Sequence, residues 1–235
     1  YTLDEVESPR NCGYFLWTLA ARRALTFLEQ QPQVDADRLG IYGHSMGGKI
    51  TTLTAGIDKR VKAAAPSCGG ISNETDNALY QKTIADALYL DQLSCPIIFL
   101  SPSNDFHGHL IDVPRAVELI ETDQWRVVTS AHGSHQDLGE FEVGGLLWFD
   151  QHLKERFAYP RTPETKLTLK TPNGIPSFMV TPDASKAIDA VDVYYTQDGE
   201  PLEREHRKNR FWHYAKTVRD GDQWKATLSV TVHGF

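Results

Sequence analysis

The residues best placed to do chemistry form one short run, Gly43-His44-Ser45-Met46-Gly47-Gly48. A serine between two glycines carries weight only in context. Here a short apolar stretch, Leu39 to Tyr42, precedes it, and a helical pattern from Met46 to Ile57 follows. A serine on such a strand-to-helix turn is lifted out of the backbone and exposed to a substrate. Its crowded geometry leaves little room for neighbouring side chains, which predicts the glycines at 43 and 47. Met46 would present its backbone N–H at the helix start, where partial positive charge favours a developing oxyanion. His44 would either line the floor of the site or pack behind the serine. The alternative is a glycine-rich turn with an incidental serine.

A serine hydroxyl attacks an acyl carbon only when a base takes its proton. The base is expected on a late loop, oriented by a carboxylate from an earlier one. Asp105 follows the apolar run Pro96–Leu100 through Ser101 to Asn104, and His135 follows Trp125–Thr129 through Ser130 to Ser134. Asn104 carries no charge, and Asp112 belongs to the next helix. His132 shares the loop of His135 and is the alternative base. His107 and His109, with His132, His135 and Asp105, could also be read as a metal cluster, but that reading leaves the glycine–serine turn without a purpose. No metal is therefore expected.

The surrounding elements are those needed to hold three such loops. A helix is expected over Ala20–Gln30, its apolar stripe made of Leu19, Ala20, Leu25, Phe27 and Leu28, and ended by Pro32. Strands are expected at Leu39–Tyr42, Val61–Ala65 (stopped by Pro66), Pro96–Leu100 and Trp125–Thr129, with helices at Val113–Glu121 and Phe141–Leu153. Ile71–Asp91 reads as polar and helical, a lid or pocket wall. The alternation of helix and strand implies a parallel sheet covered on both faces, an α/β fold with its site at the carboxyl ends of the strands. After about Thr165 the pattern changes to period two. Pro172-Asn173-Gly174 is a turn signal, and Phe211–Lys216 and Trp224–Val230 read as a hairpin joined near Asp220-Gly221. This divides the chain into a catalytic part, 1–160, and an antiparallel β-sandwich-like module, 165–235. Trp125, Trp148, Trp212 and Trp224 have core spacing.

Composition sets outer limits. The 235 residues are 40 % apolar and 23 % charged, ordinary for a globular protein. A net charge of −7 argues against nucleic acid as a partner, and no apolar run is long enough to span a membrane. Three irregularly spaced cysteines fit neither a disulfide framework nor a zinc site and read as buried apolar residues.

The run Asp37 to Gly48, followed by Asp58 to Ala63, resembles the nucleophile region of the α/β-hydrolase superfamily, in particular its acetyl xylan esterase, dienelactone hydrolase and prolyl-oligopeptidase-like branch. Pro96 to Asp105 resembles that branch's acid-bearing strand and loop. His135 with Leu146–Leu153 resembles its histidine loop and closing helix. The resemblance covers roughly residues 15–158. It implies a serine hydrolase without cofactor, acting on small-molecule or polysaccharide esters, acetyl groups among them, and located outside the cytoplasm. A peptidase, or a binding protein on a hydrolase fold, remains open beside it, and oligomeric state is not addressed. The module after Thr165 resembles β-sandwich extensions of some secreted esterase-like proteins. In that branch several strands precede the nucleophile and supply a second oxyanion N–H; only about forty residues precede Ser45. The expectation is a chain that continues upstream and has little chemistry by itself.

Overall fold

The structure is a computed structural model that describes residues 3, 10–71, 77–197 and 208–230. Two compact units divide at 158/159. The first opens with helix α1 (Gly13–Glu29) and continues β1 (Leu39–His44), α2 (Met46–Ile57), β2 (Val61–Ser67), α3 (Ala78–Thr83), α4 (Asp86–Leu90), β3 (Ile97–Leu100), α5 (Val113–Leu119), β4 (Trp125–Val128) and α6 (Gly139–Lys154). The four strands form one parallel sheet in the order β1-β2-β3-β4. The α/β class expected from the alternation is the one observed.

Every residue of β3 is fully buried, as a continuous apolar strand must be when both faces of a parallel sheet are covered. Alternation along the strands separates the two faces. Leu39, Ala64, Ile97 and Phe99 share a core with Leu90 of α4 and Val113 and Ala116 of α5. On the other side α6 packs so closely that a Cβ on Gly40 would meet Leu153 and Phe149 at 2.8 Å.

The elements depart from the sequence pattern in three places. Helix α1 begins seven residues before the expected Ala20, because Tyr14 to Trp17 are consecutive bulky residues with no visible period. Its buried face is Tyr14, Thr18 and Leu25; of the expected stripe only Leu25 is buried, and Leu19, Phe27 and Leu28 are exposed. Strand β2 runs through Pro66 to Ser67, because the pairing with β1 continues to the level of His44. The segment 71–91 holds two short helices, with residues 72–76 outside the described part.

Ion pairs with at least one buried partner fasten the helices to one another. Asp58, 5 % exposed at the end of α2, accepts from Arg22 Nε (3.0 Å) and, in bidentate fashion, from Arg60 Nε (2.8 Å) and Nη2 (2.7 Å). Arg60 also reaches Glu29 and Thr26 of α1. The Arg60 hydrogen bonds, outweighing burial and joined by Arg22, hold the Asp58 carboxyl well below the usual carboxylate range. On α2, Lys49 is 1 % exposed and donates to Ile84 O (2.6 Å) and to Asp86. Burial works against its charge, but Asp86 and Tyr80 outweigh it and keep the ammonium protonated. This pair ties α4 to the helix that starts at Ser45. Cys12, Cys68 and Cys95 are buried free thiols, and burial pushes Cys95 up to about 11.

The second unit contains β5 (Glu164–Thr168), β6 (Ser177–Thr181), β7 (Val193–Tyr195), β8 (His213–Ala215), β9 (Thr217–Asp220) and β10 (Gln223–Thr227). The larger antiparallel sheet has the order β5-β6-β10-β9; β7 and β8 form a second. Val180 and Ala226 from the first share a core with Val193 and Ala215 from the second. The turn at Gly221, with φ 62°, is where the sequence places it. However, the hairpin pairs β9 with β10, whereas His213–Ala215 pairs with β7. The chain changes sheets at Lys216, so one run of period-two pattern serves both. Of the four tryptophans with core spacing only Trp148 is fully buried; Trp125, Trp212 and Trp224 are half-buried.

Asp58→Asn removes the charge that two arginines share and is expected to cost about 2–3 kcal/mol, read as a lower urea midpoint. Because the folded carboxyl is held below its unfolded value, this contribution is complete above the unfolded pKa near ~4. It is lost as pH falls through the folded pKa. The gap between wild type and variant should therefore narrow on acidification.

Candidate active site

Ser45 lies between the end of β1 and the first turn of α2 with φ 58° and ψ −115°, a region that L-residues avoid and that persists only under constraint. The constraint is visible. Ser45 N donates to Ser67 O at 2.8 Å and Lys49 N to Ser45 O at 3.2 Å. A Cβ on Gly43 would run into the backbone of Gly47, and one on Gly48 would lie 2.6 Å from Ser67 O. A Cβ on Gly47 meets nothing within 4 Å. The expectation that crowding requires glycine at both 43 and 47 is therefore corrected: the tight positions are 43 and 48. Gly47 points its missing side chain away from the described residues.

Two loops converge on the serine. Asp105, 2 % exposed, follows β3, and its Oδ1 accepts from the amides of His107 (2.6 Å) and Gly108 (3.1 Å). The loop after β4 is pinned beside it by Asn104 N to Gly133 O (2.8 Å) and Ser103 N to Ser130 O (3.1 Å). Across this junction His135 Nδ1 lies 3.0 and 3.1 Å from the two Asp105 oxygens, and His135 Nε2 lies 2.6 Å from Ser45 Oγ. The imidazole on Ser45 thus belongs to His135. His132 is a turn residue at φ 62°. Three side chains from three strand ends form one hydrogen-bonded line, with a buried carboxylate behind the ring. Met46 opens α2, which puts its amide at the helix N-terminus next to Ser45.

The His135 ring has three ring neighbours: Phe106 at 4.4 Å, His44 at 5.1 Å and His107 at 5.8 Å. Burial lowers the pKa of His107, so its ring is neutral near pH 7. His109 stays within its own loop, with Nε2 2.8 Å from Phe106 O and Nδ1 3.4 Å from Asp112. The wider histidine cluster does not converge. Among the described residues the group with metal-like spacing is Cys68, Asp105 and His135, whose ligand atoms lie within 4.8 Å of one another. Burial, and then the Asp105 carboxylate, push the Cys68 thiol far above the ordinary range, and Asp105 and His135 are hydrogen-bonded to each other.

Sequence reasoning placed His44 beside the serine but missed the residues it meets. His44 Nδ1 lies 3.0 Å from Asp137 Oδ1 and 3.2 Å from Ser67 Oγ, and Ser67 Oγ donates to Asp137 at 2.8 Å. Tyr42 joins them: burial and a hydrogen bond to Asp137 push its hydroxyl up to about 12. Cys68, at φ 53°, sits beneath Asp105. The available signal was position alone, since Ser67 ends β2 and Asp137 stands two residues after His135.

Comparison with known proteins agrees with this architecture. The profile of the dienelactone hydrolase family matches residues 16–133, and the chain belongs to that family. The match includes Ser45 and Asp105 and ends before His135. Solved structures with a similar fold include the acetyl xylan esterase from Paenibacillus sp. R4, at 17 % identity and TM-score 0.51 over 60 % of this chain and 53 % of that one. Another is the α/β hydrolase GrgF from Penicillium sp. sh18, at 16 % identity and TM-score 0.52 over 63 % and 75 %. A Mycobacterium tuberculosis puromycin-hydrolyzing peptidase aligns at 20 % identity and TM-score 0.50 over 60 % and 25 %. This chain spans about half the length of the acetyl xylan esterase it matches. No curated protein matches it.

The glycine geometry is directly testable. Gly43→Ala and Gly48→Ala should each lose about 3 kcal/mol or fail to fold. Gly47→Ala should be neutral or stabilising by up to about 1 kcal/mol. Thermal unfolding of the three variants side by side measures this, and equal losses at 43 and 47 would contradict the geometry.

Proposed function

We propose that this chain carries the catalytic residues of a serine hydrolase that cleaves carboxylic esters through an acyl-enzyme. The observation that carries the reading is the continuous line from Ser45 Oγ through His135 to Asp105, at 2.6 and 3.0 Å, at the carboxyl ends of three parallel strands. Membership of a hydrolase family supports it. Acetyl esters of polysaccharides are the substrates the resemblance to acetyl xylan esterases favours.

In this mechanism His135 Nε2 takes the Ser45 proton as Oγ attacks the acyl carbon. Asp105 holds the Nδ1–H, fixes the tautomer and stabilises the imidazolium without taking its proton. The carbonyl oxygen becomes an oxyanion, which the Met46 amide and the α2 N-terminus stabilise. Collapse breaks the bond to the leaving alcohol, which receives the proton from His135. Water then attacks the acyl-serine with His135 again as base, and the acid leaves with Ser45 restored. Asp105 accepts two backbone N–H groups, which fix its carboxylate in place behind the ring.

The direct test is covalent labelling of the full-length protein by a fluorophosphonate. Wild type should label, Ser45→Ala should not, and labelling of the alanine variant would remove Ser45 from the role. On p-nitrophenyl acetate, Ser45→Ala and His135→Ala should each lower kcat about 10⁴–10⁶-fold, and Asp105→Asn about 10⁴-fold. His132→Ala should leave kcat within about threefold if His135 is the base.

A further inference from the structure

Beside the serine line stands a second group of the same residue types: Ser67, Asp137 and His44. Its connectivity differs. Ser67 Oγ donates to Asp137 Oδ1 (2.8 Å), and His44 Nδ1 approaches the same oxygen (3.0 Å). The serine proton therefore points to the carboxylate and not to the imidazole, and Ser67 is fully buried. No activated nucleophile results. What the group does is join elements. His44 is the last residue of β1, Ser67 the last residue of β2, and Asp137 stands two residues after His135.

We propose that Asp137 is a positioning residue, whose carboxylate ties the His135 loop to the two strand ends that flank Ser45 and thereby keeps the imidazole on Ser45 Oγ. The loop is anchored to the acid side by backbone hydrogen bonds from Ser103 and Asn104. Those bonds fix Asp105 against the loop, but they do not fix the loop against Ser45. The Asp137 contacts span that second gap. Ser67 meets the elbow twice, through Ser45 N and its crowding of Gly48, so a hydrogen bond from Ser67 Oγ references the loop to the nucleophile itself. His44 gives a second route, because its ring, held at Nδ1 by Asp137, lies 5.1 Å from the His135 ring. A hydrogen-bonded line tolerates about 0.5 Å of misplacement before reactivity falls steeply, and on this side the loop is otherwise held by the long contact of Cys68 Sγ with Gln136 O at 3.6 Å.

The inference rests on the proposed role of Ser45, so the experiment has two readouts. The first is the rate of fluorophosphonate labelling. Asp137→Asn should label at least tenfold more slowly, Ser67→Ala about three- to tenfold, and Asp137→Glu should recover most of the loss. The double variant Asp137→Asn/His44→Gln should be no slower than the worse single variant, because both changes break one unit. The second readout is the low-field proton resonance of the His135 Nδ1–H bonded to Asp105. It should be sharp in wild type and broadened or shifted in Asp137→Asn, with the unfolding temperature changed by less than a few degrees because Asp137 is about half exposed. Wild-type labelling in Asp137→Asn with an unchanged resonance would overturn the proposal, as would multiplicative losses in the double variant. If wild type itself does not label, the serine reading falls, and the resonance alone still decides whether Asp137 positions His135.

Discussion

The backbone of Ser45, at φ 58° and ψ −115°, is the constraint around which the first unit is organised. An L-residue is held there against an intrinsic cost of order 1–3 kcal/mol, and the neighbouring elements supply the restraint. β2 extends through a proline to place Ser67 O on the Ser45 amide. The loop after β2 packs against the elbow so closely that a Cβ on Gly69 would lie 2.5 Å from Ser45 O. The acid loop presses on it in turn, where a Cβ on Gly108 would lie 2.5 Å from Gly69 N. Three loops interlock through missing side chains. The strained turn, the carboxylate and the imidazole are thereby aspects of one packing solution.

The charged residues that hold this arrangement from outside act through burial. Lys49 lies one turn into the helix that Ser45 caps, and it carries its charge inward to Asp86 and Ile84 O, with Tyr14 and Tyr80 rings within 5.3 Å. Asp58 does the same at the other end of that helix, toward α1. Helix α2 is thus fastened at both ends, to Asp86 and to Arg22, which lie 37 and 36 residues away along the chain. Removing one partner of such a pair leaves a buried charge unanswered, which costs more than the pair contributes.

The elbow and the order of strands and helices were legible in the sequence because each is a local pattern. Apolar runs of four to six residues bounded by Gly, Pro or Asp gave β1, β3 and β4 within two residues. The places of Asp105 and His135 followed from standing just past strand ends. What could not be read is what long-range contact decides. The start of α1 lies in a run of bulky residues without a period, and its buried side is chosen by Arg22 meeting Asp58. Nothing local to Lys49 marks it as buried, because its partner Asp86 lies 37 residues away. In the second unit, period two identifies strands but not partners, and the switch of sheets at Lys216 leaves no trace in composition. Gly47 shows the opposite error: a residue that belongs to a motif was credited with a steric need that its neighbour Gly48 has.

The three thiols give the first unit an intrinsic set of gauges. Cys12 precedes α1, Cys68 lies under the acid, and Cys95 leads into β3, and none is reachable from the native surface. A thiol reagent can react with each only when its own region opens. The order in which they become modified would therefore rank the openings of helix, loop junction and central strand in one native chain, without any introduced label.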